Sequence, residues 1–233
     1  MCLAGYVGAE ADWSSIEPQW IDILRVVDSD NPPPFHMSDL LSQSGDFALT
    51  DKPRVNYIIT QCSQIIGRHS VVPFYSAVVQ DDWDDAVTDA EFLQRFPDPL
   101  YLCFDDLVRQ MAEWSRLKAS GELIVPMFAH DSKRDKDFRS IYNAYGADDW
   151  YSSVLGPIAF GFPKQVVPLQ CADLISNQMR YDIEIRRYER PVGPTAALDW
   201  ATPNNPVGHW FNAAGLRLTV DRWKSTGEIY RVG

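Results

Sequence analysis

Nowhere in these 233 residues does an apolar run approach the roughly 20 residues that a membrane-spanning helix needs, so no span is expected. Basic charge is also short. Lys and Arg number 21 against 32 Asp and Glu, a net charge of −11. That balance argues against a nucleic-acid coat protein, which carries a basic footprint. It does not argue against a nuclease, because an acidic metal cluster itself adds negative charge. Cysteine is scarce: Cys2, Cys62, Cys103 and Cys171 form no C-x-x-C pair, and buried free thiols are expected rather than a zinc site or disulfides. The G-x-S-x-G elbow, the P-loop lysine, H-E-x-x-H and G-x-G-x-x-G are all missing. Four dispersed histidines cannot specify a Ser or Cys nucleophile scheme. The N-terminus has neither the basic start nor the cleavage site of a signal peptide, so a cytoplasmic location is expected.

What is present is ample material for a core. Apolar residues make up 45% of the chain and eight are Trp, which excludes a disordered protein. Strand and helix patterns alternate. Cys2 to Val7 reads as a short apolar strand. Ser14-Ser15-Ile16-Glu17 offers a capping box for a helix buried through Ile16, Trp20, Ile23, Leu24 and Val27. Three prolines stop the loop from Asp28 to Pro34. Val55, Ile58, Ile59, Cys62, Ile65 and Ile66 form a helical stripe. Val71 to Val79 reads as a buried strand, where Pro73 favours an edge or a strand beginning. A helix from about Leu100 to Lys118 turns Phe104, Leu107, Val108, Met111 and Trp114 inward. Strands are expected over Glu122 to Phe128 and Val154 to Phe162, with a helix from Lys133 to Tyr145 between them. This alternation indicates an α/β domain with a largely parallel sheet, whose ligands bind at the carboxyl ends of strands. From about Pro191 the chain is rich in Pro, Gly and Asn and reads as a C-terminal extension, with a short helix or strand near Trp210 to Trp223.

The candidate site centres on Val167 to Asn177. Pro168 suits a first helical turn. Leu169, Ala172, Ile175 and Met179 make the core stripe, and Gln170, Asp173 and Asn177 run beside it as a polar line. A carboxylate that close to a buried face is paired, hydrogen-bonded, protonated or metal-bound. Alternatively, Asp173 supports the helix N-terminus through the macrodipole. Asp131 follows a strand end, where side chains project into a cleft. Phe35-His36-Met37-Ser38-Asp39 sets an imidazole three residues from a carboxylate, after a rigid proline loop. Oxygen-rich sites of this kind suit magnesium or manganese rather than zinc. Asp81, Asp82, Asp84, Asp85, Asp89 and Glu91 crowd one segment that reads as a solvated loop, without the glycine of an EF-hand. Basic residues gather at Lys133, Arg134, Lys136 and Arg139 and at Arg180, Arg186, Arg187 and Arg190; they either solvate helix faces or hold phosphates.

Leu3-Ala4-Gly5-Tyr6-Val7-Gly8, a Trp-containing helix, Phe35-His36-Met37-Ser38-Asp39, Phe160, Lys164 and Leu169-Gln170-Cys171-Ala172-Asp173-Leu174-Ile175 follow one another in an order that resembles the domain-of-unknown-function 3800 family. The resemblance spans residues 1 to about 187, and L-Q-x-A-D-L is its most specific block. It implies a ribonuclease H-like α/β fold over residues 1–190, a mixed sheet flanked by helices, followed by an extension over 191–233. It also implies a nuclease-type site in which acidic side chains hold two Mg2+ or Mn2+ ions against a nucleic-acid substrate. Carried over by position, Asp131, Asp173 and His36 are the candidate catalytic residues, the two acids as metal ligands, and His36 and Gln170 match family positions. Lys164, Gln170 and Arg180 are the candidate substrate contacts. Family members open with a strand ending in D-E-S-G, and Met1 falls where that strand should already have ended. Either Met1 is an internal methionine, with an acid-bearing strand expected upstream, or that ligand has been lost. In the second case the implied reading is a non-catalytic binding or regulatory protein on the same fold.

Overall fold

The computed structural model describes residues 1–118, 122–188, 206–227 and 229. They form a mixed α/β fold with a small sheet and flanking helices. Strand β1 (Cys2–Val7) pairs antiparallel with β2 (Val72–Val78), and β2 pairs parallel with β5 (Val207–Phe211). A separate parallel pair joins β3 (Met127–Ala129) to β4 (Ala159–Gly161). The expected largely parallel sheet is therefore mixed. Pro73 stands opposite Tyr6 and one residue before the β5 ladder begins at Phe74, so its missing N–H falls at a strand beginning.

The helices follow the apolar stripes with some corrections. Helix α1 (Glu10–Leu24) buries Ile16, Trp20, Ile23 and Leu24. It starts four residues before the expected capping box: Ala9 is the N-cap, and Glu10 and Asp12 meet the positive end of the helix dipole. Helix α2 (Met37–Ser42) follows the proline loop. Helix α3 (Lys52–Gly67) is capped by the Asp51 side chain, which accepts from Arg54 N at 3.0 Å. The acidic segment is not a loop. It folds into α4 (Gln80–Ala86) and α5 (Ala90–Arg95), with Asp82 buried against Arg187 at 2.8 Å. Arg217 and Lys224 of α10 (Ala213–Thr226) neutralise Asp85 and Asp89. Repulsion among the clustered acids is relieved by cations from far along the chain.

Helix α6 (Pro99–Lys118) lies along β2, and α9 (Val167–Tyr188) lies along β1. Helices α7 (Asp135–Tyr145) and α8 (Asp149–Ser152) sit between β3 and β4 in the chain. The two expected strands of this region shrink to three residues each. Pro126 and the Gly156-Pro157 pair interrupt them, leaving only an isolated bridge between Ile124 and Leu155 upstream. Of the segment read as an extension, Val207–Phe211 completes the three-stranded sheet and Ala213–Thr226 packs onto α4. Among the described residues the core comprises three clusters: Trp20, Phe35 and Ile58 with their neighbours; Phe74, Phe104 and Phe138 with theirs; and Trp83, Phe92 and Phe211 with theirs. All four cysteines are free thiols, and burial pushes Cys62, Cys103 and Cys171 well above the usual thiol range. No helix among the described residues is long and apolar enough to cross a membrane.

Candidate functional site

The polar line of α9 does physical work on the proline loop. Gln170, only 4% exposed, accepts at Oε1 from the indole N–H of Trp20 (3.0 Å) and from the backbone N–H of Phe35 (2.9 Å). Its Nε2 donates to the carbonyl of Pro163 at 2.9 Å. One turn on, Asp173 Oδ2 accepts from the backbone N–H of Met37 at 2.7 Å. Both loop donors are buried or partly so, and each would otherwise lack a partner at substantial cost. Prolines 32 to 34 keep this stretch out of regular structure, so its N–H groups must be satisfied by side chains. Gln170 and Asp173 form a clasp on residues 35 and 37.

His36 lies between the two clasped residues at the N-cap position of α2. Its ring is exposed, with Nδ1 3.0 Å from Asp39 Oδ2 and 3.3 Å from Ser38 Oγ. Lys164 occupies the 3₁₀ turn Pro163–Gln165 that leads into α9. With Gln170, Glu17, Ile21 and Pro33 it lines a cleft of about 170 Å³. The structure thus gathers His36, Lys164, Gln170 and Asp173 around the proline loop. Close packing aids this: a Cβ on Gly161 would meet the Leu169 side chain at 3.2 Å.

Asp131 and Arg180 belong to other networks. Asp131 follows β3 as expected, but both of its oxygens are engaged. Oδ1 accepts from Lys133 N at 2.9 Å, and Oδ2 accepts from Arg134 Nη1 at 2.8 Å. Arg134 also reaches Asp98 at 2.9 Å. The hydrogen bond from the Arg134 guanidinium, with that from Lys133 N, holds the Asp131 carboxyl below the usual range. Its neighbour His130 bonds Asp135, whose second oxygen accepts from Asp131 N at 2.8 Å. Arg180 pairs with Glu184 at 2.8 Å. Arg134, Arg186 and Arg187 are likewise paired within the chain, whereas Arg190 lies outside the described residues.

The donors do not fit the two-ion centre that the family resemblance implies. A guanidinium sits on Asp131 where a cation would have to approach, and Asp131 shares no hydrogen-bond partner with Asp173. Among the described residues, no trio of His, Cys, Asp or Glu is gathered for a metal ion. Of Asp131 and Asp173, only Asp173 keeps one oxygen without a hydrogen bond among the described residues.

Sequence reasoning missed a second acidic group. Asp105 and Asp106, adjacent on α6, are 1% and 0% exposed. Asp105 accepts from Tyr145 Oη at 2.6 Å and from Arg109 Nε at 3.0 Å. Burial disfavours the Arg109 cation, but Asp105 beside it, together with Tyr145 and Tyr151, outweighs that and raises its pKa. Asp106 meets His209 Nδ1 of β5 at 2.8 Å and the Gln110 amide at 2.7 Å. The hydrogen bond to Asp106 raises the pKa of His209. The one local signal was spacing: Asp105, Arg109 and Asp106, Gln110 are i, i+4 pairs within an otherwise apolar stripe.

No family model matches this chain, and no curated protein or solved structure was found to match it.

Proposed function

We propose that this chain is a ribonuclease H-like protein, akin to the domain-of-unknown-function 3800 family, that acts by binding rather than by phosphodiester hydrolysis. The small mixed sheet with flanking helices and the clasped L-Q-C-A-D block support the kinship. The observation that carries the binding reading is the state of Asp131: both oxygens satisfied, one by a guanidinium, with no further metal-ligating side chain gathered with it and Asp173 among the described residues. A partner would contact the cleft beside the clasp, where Lys164 supplies a cation and the proline loop supplies a fixed wall.

The second reading, a divalent-metal-dependent nuclease, rests on the one Asp173 oxygen that carries no hydrogen bond. A single experiment separates the two. The full chain is incubated with end-labelled single-stranded RNA and DNA in Mn2+ or Mg2+, and binding and cleavage are both followed. Retention of an oligonucleotide without cleavage, weakened by Lys164→Ala, is the expected result. Metal-dependent cleavage that Asp173→Asn abolishes would overturn the binding reading in favour of the nuclease. Neither retention nor cleavage would remove nucleic acid as the partner.

A further inference from the structure

A second cleft, of about 370 Å³, opens between α7, α8 and residues 155–158 and shares no lining residue with the cleft at Lys164. Its volume falls within the range of small-molecule sites. Tyr142, Tyr145 and Tyr151 line it, each buried enough to be 9% exposed or less. Two of these rings are fixed at their far ends. Tyr142 Oη donates to the Gly156 carbonyl at 2.7 Å, and Tyr145 Oη donates to Asp105 at 2.6 Å. Tyr145 and Tyr151 stand with ring centroids 4.6 Å apart. The aromatic lining is therefore preorganised, and a ligand would lose little free energy in ordering it.

One basic residue and one amide residue also line the cleft. Arg139 lines it and is exposed, and its guanidinium lies 5.0 Å from the centre of the Phe160 ring. It pairs with no carboxylate among the described residues, unlike Arg109, Arg134, Arg180, Arg186, Arg187 and Arg217. Arg54, Arg68, Arg116 and Arg222 also lack a carboxylate partner among the described residues, but of these arginines it is Arg139 that lines the cleft. Its planar fork matches a carboxylate in two parallel hydrogen bonds. The exposed Asn143 amide adds a donor and an acceptor.

From this geometry we infer that the α7–α8 cleft is a binding site for an aromatic monocarboxylate, its ring against the tyrosines and its carboxylate on Arg139. The inference stands independently of the function proposed for the Lys164 cleft.

The test is a ligand-detected NMR titration of the full chain with indole-3-acetate, and with 3-methylindole as the same ring without the carboxylate. The acid should bind with a dissociation constant on the order of 0.1–1 mM, given its size. It should bind about tenfold more tightly than 3-methylindole, reflecting one charge-assisted pair. Arg139→Gln should erase that difference, whereas Arg139→Lys should retain part of it. Ser152→Trp, which places a large ring at the mouth, should weaken both ligands, with thermal unfolding recorded for each variant. Equal affinities for acid and neutral ring, undiminished binding of the acid by Arg139→Gln, or no binding of either ligand would each overturn the assignment.

Discussion

Two acidic groups of this molecule look alike as chemistry and differ in setting. At the end of β3, Asp131 shares Arg134 with Asp98, with side chains between a quarter and about a third exposed. In α6, the Asp105 side chain is 2% exposed and pairs with Arg109 and Tyr145. Both groups of the Asp131–Arg134 pair are partly solvated, so the pair adds little to stability. At Asp105 no water stands ready, and losing the carboxylate would strand a largely enclosed guanidinium. The lesson concerns what marks a carboxylate as indispensable. Position after a strand drew attention to Asp131, whereas the cost of deletion concentrates at Asp105 and Asp106.

The largest effect is expected there. Asp105→Ala should destabilise the fold by about 3–5 kcal/mol, the cost of breaking a buried ion pair, whereas Asp131→Ala should cost no more than about 1 kcal/mol. Urea unfolding of the two variants side by side measures the contrast, and equal losses would abolish it. Next in size is Gln170→Ala. It leaves the Trp20 indole N–H, the Phe35 N–H and the Pro163 carbonyl without their partner, at about 2–4 kcal/mol in total. The Trp20 fluorescence should shift as well, because its hydrogen bond is lost.

The pairing of His209 with Asp106 sharpens the comparison through pH. The folded-state pKa of His209 is raised above 6.5 by its hydrogen bond to Asp106. Its contribution to stability is then fully present below the unfolded value of 6.5 and is lost as pH rises through the raised folded value. The stability gap between the native chain and His209→Gln should be widest at pH 5.5–6 and should narrow by pH 8–9, as checked by denaturant melts across that range. A gap independent of pH would mean that the pairing does not depend on the imidazolium. The smallest effect is expected for Asp173→Asn. The Asn carbonyl can still accept from Met37 N, so unfolding should move by less than about 1 kcal/mol. A larger loss would make the carboxylate charge itself part of the clasp.

Much of the skeleton was legible because it rests on local pattern. The stripe of α3, the inner positions of α1 and the Pro168 start of α9 are statements about periods of three and four, and the structure buries most of those apolar residues, with Val27, Ile59 and Ala172 half-buried. What failed to show locally depends on distant partners. The acids at 81–91 read as a loop because Arg187, Arg217 and Lys224 lie some hundred residues away or more, and those cations offset the charge of a segment that Trp83 and Phe92 anchor in the core. The strands at 122–128 and 154–162 were drawn too long because apolar content outweighed Pro126 and Gly156-Pro157 in the reading. At the site, the prominence of Gln170 and Asp173 was visible, but their task was not. A polar line beside a core stripe can face a metal, a ligand or a stranded backbone N–H, and only the folded chain shows that here it meets Phe35 and Met37. Asp105 and Asp106 escaped notice because two adjacent acids on a long helix read as a solvated face.

The clasp sets a clock on biosynthesis. Trp20 and Gln170 are 150 residues apart, so the indole N–H of the first helix and the N–H of Phe35 cannot reach their native partner until α9 has been made. At a synthesis rate of about 5–20 residues per second, that interval is roughly 8–30 s. During it the first third of the chain holds apolar helices and a proline loop whose closing partner has yet to be synthesised. Nascent chains of this protein should therefore be ready clients for holding chaperones until late in translation, and their protease resistance should rise abruptly once the Leu169–Leu174 turns emerge.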